Sequence, residues 1–157
     1  MVSRKKSGTR KKAPITGPPT VEELAGGTGA GYDADLRCVV EHFLGLTQEE
    51  ARVAIETRGI LLADDFGYMA DAGLRYYLPA AFEYLRSDES KNALEFCLFF
   101  LGSLRSVIRR THSRPAPDIV ALVKEIAGYC ASCPEKFDPS FGPAWSCADT
   151  IADILRQ

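Results

Sequence analysis

Hydrophobic positions in this chain recur at helical spacing from residue 33 onward. Leu36, Val39, Val40, Phe43 and Leu44 form one stripe behind Asp33, a residue suited to an N-cap, and Gly45 ends it. Thr47 and Glu50 then have the form of a capping box, in which each side chain bonds the other's backbone N–H. The helix they open carries Ala51, Ala54 and Ile55 and closes at Gly59. Ile60, Leu61 and Leu62 follow as a crossing segment, a short strand at most. In residues 71–86, Leu74, Tyr77, Leu78, Ala81, Phe82 and Leu85 share one helical face. Pro79 lies in that pattern, so the stretch is expected as one bent helix or as two helices meeting near Leu78.

The strongest pattern spans residues 90–111. Leu94, Cys97, Leu98, Leu101, Leu104 and Ile108 make its main stripe, and Phe96, Phe99 and Phe100 make it apolar nearly all round. Such a helix is expected at the centre of the fold. Arg105, Arg109, Arg110 and His112 close it, which suits the negative end of the helix dipole. Pro117 or Asp118 starts the next helix, with Ile119, Leu122, Val123, Ile126 and Ala127 inward. A loop is expected over 128–142, and a last helix from Pro143 that buries Trp145, Ala148, Ile151, Ala152 and Leu155. These elements predict an all-α fold, an irregular bundle of about six helices in one domain over 33–157.

Residues 1–32 have a different texture. Prolines and glycines punctuate them and almost nothing there looks buriable, so they read as a disordered tail, with at most one helical turn at 21–24. The tail carries Arg4, Lys5, Lys6, Arg10, Lys11 and Lys12 and no acid up to residue 20. Residues 21–157 hold 13 basic and 21 acidic side chains, a net charge of −8. Contact with nucleic acid would therefore fall to the tail, where no aromatic residue is interleaved to stack on bases. No apolar run is long enough for a bilayer, and no apolar stretch follows the basic start, so a cytoplasmic protein without membrane contact is expected.

The candidate chemistry is sparse. Cys130-x-x-Cys133 with Cys147 offers three ligands for a structural zinc, and Cys97 or His112 could complete the set only if the fold brought one close. The alternative is that these cysteines are small buried residues. No disulfide framework is expected, because the five cysteines come without an export signal. Asp64, Asp65 and Asp71 surround Phe66-Gly67-Tyr68-Met69 and are read as helix caps. A catalytic role for His42 or His112 would need a carboxylate or nucleophile brought beside it. Nucleophile-elbow, metalloprotease and phosphate-loop motifs are absent from the sequence. Arg75, Tyr76 and Tyr84 lie on or near an aromatic cluster but off its core stripe, and this makes them interaction candidates.

Leu74-Arg75-Tyr76-Tyr77-Leu78-Pro79-Ala80 resembles the Phe-Arg-Tyr-Tyr-Leu-Pro-Ala stretch of a bacterial family of small proteins of unknown function. The likeness covers about residues 46–86. It implies a bacterial, cytoplasmic, helical protein, makes Tyr76, Tyr77 and Pro79 a structural signature, and assigns them no chemistry. The sequence reading is a non-enzymatic module that binds another protein, of accessory or immunity type. A zinc-stabilised domain and an enzyme without a recognisable motif are the alternatives.

Overall fold

The computed structural model describes residues 17–26, 34–111, 113–137 and 147–157. The fold is all-α, and no strand occurs among the described residues. Its helices are α1 (Val21–Ala25), α2 (Ala34–Phe43), α3 (Gln48–Arg58), α4 (Ile60–Ala63), α5 (Asp71–Arg86), α6 (Leu94–Ile108), α7 (Pro117–Ser132), α8 (Pro134–Phe137) and α9 (Cys147–Arg156). Two 3-10 turns, Asp64–Gly67 and Asp88–Asn92, precede α5 and α6. The helices beyond the six expected are short ones.

α5 organises the others. Pro79 sits inside it without ending it. Proline supplies no N–H to the Arg75 carbonyl four residues back, and its ring crowds the preceding turn. Gln48, at the start of α3, donates its side-chain amide to the Tyr76 carbonyl (2.8 Å). An outside donor thus serves the opened turn, and the helix runs on as one element. At the next residue, the buried Tyr77 hydroxyl meets the carbonyls of Phe43 (2.5 Å) and Leu46 (2.9 Å), where α2 ends. Asp71 and Arg75 lie four apart on α5 and together hold the start of α7. The Ala116 N–H donates to Asp71 (3.0 Å), and Arg75 grips Asp118 with two nitrogens (2.5 and 3.0 Å). At the far end Lys136 of α8 donates to the Leu85 and Ser87 carbonyls (2.6 and 2.8 Å). A cation there satisfies orphan carbonyls and suits the dipole.

The core is a circuit of aromatic rings that begins and ends on α5. Tyr77 packs on Phe43 of α2 (centroids 5.0 Å apart), Phe43 on Phe66 (5.4 Å), and Phe66 on Phe100 of α6 (4.9 Å). Phe100 stacks on Phe96 (5.1 Å), and Phe96 meets Tyr84 edge-on (5.4 Å), back on α5. Such pairs each contribute roughly 0.5–1.5 kcal/mol beyond their buried area.

Several expectations are corrected. Ile60–Leu62 is helical rather than extended, because Gly59 turns with positive φ and α4 starts at once, burying Leu62 and Ala63. The folded body begins before residue 33: α1 carries a full Thr20–Glu23 capping box, and Leu24 and Ala25 are buried. The Ala70 N–H donates to the Leu24 carbonyl (2.9 Å). Gly73 of α5 allows this approach, since a Cβ there would lie 2.8 Å from the Leu24 side chain. α7 runs through Gly128 and Cys130 to Ser132, so no loop starts at 128. α9 buries Cys147, Ile151 and Ile154, whereas Leu155 is exposed and Ala148 and Ala152 face solvent. The phase differs from the sequence reading because the apolar positions there fit two neighbouring faces. Asp33, His112, Trp145 and the six basic tail residues lie outside the described residues.

Replacing Tyr77 by Phe keeps the ring packing but removes the hydroxyl donor from the Leu46 carbonyl, whereas the Phe43 carbonyl keeps the Leu46 N–H. Leaving a buried carbonyl unsatisfied costs about 1–3 kcal/mol. Urea denaturation of Tyr77→Phe is expected to show a loss of that size with an unchanged m-value.

Candidate functional site

A groove of about 600 Å³ runs along the face of α6 that the aromatic circuit leaves open. Its floor and one wall come from Leu98, Phe99, Gly102, Ser103, Arg105 and Ser106 of α6. The 3-10 turn contributes Asp64, Gly67 and Tyr68 opposite, and the first turn of α9 contributes Asp149 and Thr150. The floor is low because its residues are small: a Cβ on Gly102 would meet nothing within 4 Å. Phe99 (40% exposed) and Tyr68 (46%) stand at its sides, and Leu61 of α4 (66%) precedes the turn.

The turn that forms one wall is pinned from both sides. Arg110 donates to the Met69 carbonyl (3.0 Å) and to that of Gly67. From the other side His42 Nδ1 meets Asp65 Oδ2 at 2.6 Å. Between them Ser103 donates to Asp64 (3.5 Å), and Gly67 lies against Ser103. Burial pushes the Asp65 carboxyl above its ordinary range, and the hydrogen bond and attraction from His42 oppose that rise. Burial likewise lowers Arg110, a guanidinium bonded here to uncharged carbonyls.

The sequence-predicted site residues are dispersed. Arg75 is committed to Asp118, and the pair holds the Asp118 carboxyl below the usual carboxylate range. Tyr76 is half-buried and packs edge-on against Tyr77 (4.9 Å). Tyr84, expected off the core, is only 4% exposed, because Phe96 of α6 packs over it. Asp64, Asp65 and Asp71 are not N-caps: they bond Ser103, His42 and the Ala116 N–H.

The cysteines regroup. The Cys130 and Cys147 thiols both hydrogen-bond to Cys97, which joins α6, α7 and α9 in the core and pushes the Cys97 thiol up. Cys133 falls outside that contact, beside Ser132 at the end of α7 (3.7 Å). The combination Cys130, Cys133 and Cys147 is therefore not assembled. Among the described residues, no group of three or more His, Cys, Asp or Glu is arranged to hold a metal ion.

Sequence reasoning missed Phe99, Tyr68 and Gly102. The signal was present: Phe99 made α6 apolar off its main stripe, which is also the pattern of a helix with a partner face.

Because Asp65 holds its proton more tightly when folded, its contribution to stability falls as pH rises from the ordinary value of 3.8 through its higher folded value. Urea denaturation between about pH 4 and about pH 6, below the ordinary imidazole range, tests this. The stability of the wild type relative to Asp65→Asn is expected to decline across that window. No family model, curated protein or solved structure matches the chain.

Proposed function

We propose that this protein is a non-enzymatic interaction module whose α6 groove receives a basic, amphipathic segment of a partner protein. The observation that carries the reading is Phe99 and Tyr68 standing exposed on either side of a floor made of Gly102, Ser103 and Ser106. A glycine and serines let a partner's backbone come close, and the two rings supply rigid apolar anchors of the kind that dominate binding energy. Asp64 and Asp149 line the groove beside Arg105, on a body of net charge −8, and that field steers a basic partner. Membership of the bacterial family that the Arg75–Pro79 stretch resembles is part of this proposal, as is a cytoplasmic, accessory or immunity-type role.

A photo-crosslinking residue in place of Phe99, used in the source cells, would identify the partner. Its affinity is then measured for the wild type, Phe99→Asp and Val53→Asp. Val53 is exposed on α3, away from the groove, and serves as the control. Phe99→Asp is expected to weaken binding by roughly thirtyfold, the scale of a lost hot spot of about 2 kcal/mol. Val53→Asp is expected to bind like the wild type. Equal affinities for the two variants would rule out the groove.

A further inference from the structure

We infer that a second cleft, at the C-terminal end of α6, is a binding site for a small phosphomonoester. This inference is independent of the partner-binding reading. The cleft holds about 490 Å³ and is lined by Ile108, Arg109, Arg110, Thr111, Arg114, Pro115, Val120 and Gln157. Three arginines thus line one cavity, and among the described residues its lining carries no acidic side chain, on a body of net charge −8.

The acids that reach these arginines are already engaged. Asp153 pairs with Arg109 (2.6 Å), which leaves that guanidinium with donors to spare. Asp71 attracts Arg110 through space, but its Oδ2 accepts the Ala116 N–H. Arg110 is half-buried, and its hydrogen bonds run to the uncharged Gly67 and Met69 carbonyls. Buried charges are ordinarily paired, so a fixed guanidinium of this kind favours an incoming anion. Those same two bonds hold it in place, so little freedom is lost when it binds. Arg114 is exposed, and among the described residues it makes no ion pair.

A carboxylate needs one such fork; three guanidiniums and the Thr111 hydroxyl suit the three oxygens of a phosphate dianion. The cavity exceeds what phosphate alone fills. Ile108, Pro115 and Val120 give apolar surface for the organic part of an ester.

Isothermal titration at about pH 7.5, with ionic strength held constant by sodium chloride, tests this with inorganic phosphate and glycerol phosphate. The ester is dianionic there, and inorganic phosphate is mostly so. Saturable binding is expected for both, tighter for the ester. Arg114→Gln is expected to weaken it roughly tenfold or more, the scale of a lost charged hydrogen bond, with unfolding unchanged. Arg110→Lys, which keeps the charge but loses the fork, is expected to weaken it while remaining folded. Absence of saturable binding, or wild-type affinity in Arg114→Gln, would overturn the site. Inorganic phosphate binding as tightly as the ester would overturn its assignment to an ester.

Discussion

The Tyr77 hydroxyl is the constraint on which the remaining packing depends. It reaches out of α5 into the end of α2 and meets two carbonyls, of Phe43 and Leu46, where the chain leaves the helix. Helix ends carry orphan carbonyls, and burying one without a donor is costly. With the turn at Gly45, the phenol therefore ties the end of α2 to α5. Desolvation holds that phenol well above its usual pKa, so it stays a neutral donor at any physiological pH. From its ring the aromatic circuit passes through Phe43, Phe66, Phe100 and Phe96 and returns to α5 at Tyr84. Each element in the circuit is placed by its neighbour, and the 3-10 turn carrying Phe66 is placed by two of them.

That placement produces the surface. Phe66 fixes the turn from inside, Arg110 fixes its carbonyls, and Asp65 ties it to His42. Tyr68 therefore projects from a rigid edge. α6 buries Phe96, Cys97, Phe100, Leu101, Leu104 and Val107, and among the described residues its opposite side carries Phe99 and Gly102 uncovered. Two clefts of unlike chemistry flank this helix. One has apolar walls with aspartates among its lining, and the other is lined by arginines. Arg110 serves both regions, since its guanidinium steadies the wall of the first and the residue forms part of the lining of the second.

Much of the fold was legible because local chemistry and global packing agree. The Thr47–Glu50 box and the turn at Gly59 bound α3 as read. The stripe of Leu74, Tyr77, Leu78, Ala81, Phe82 and Leu85 is buried on α5. Thr20 and Glu23 carry the same box as Thr47 and Glu50, but the surrounding prolines and glycines hid it, and Leu24 needed the notch at Gly73 to become core. Pro79 could not be resolved from sequence, because what packs beside the turn it disturbs, the Gln48 amide at the Tyr76 carbonyl among it, comes from twenty-eight positions away in sequence. The cysteine spacing misled for a related reason: Cys133 caps the end of α7 beside Ser132, whereas the thiols that meet in the core, Cys97 and Cys147, arrive at Cys130 from other helices. The candidate site was the least legible part. The pattern marked Phe99 as apolar off the main stripe of α6, but whether another helix covers such a position depends on packing that periodicity does not give.

Native-state hydrogen exchange tests the central claim most directly. If the Tyr77 bonds and the aromatic circuit fasten α2 to α5, amides in the last turn of α2 and in the middle of α5 open together. They would then exchange with one shared free energy close to that of global unfolding. Exchange at the end of α2 through a separate, much lower-energy opening, while α5 stays protected, would contradict the account.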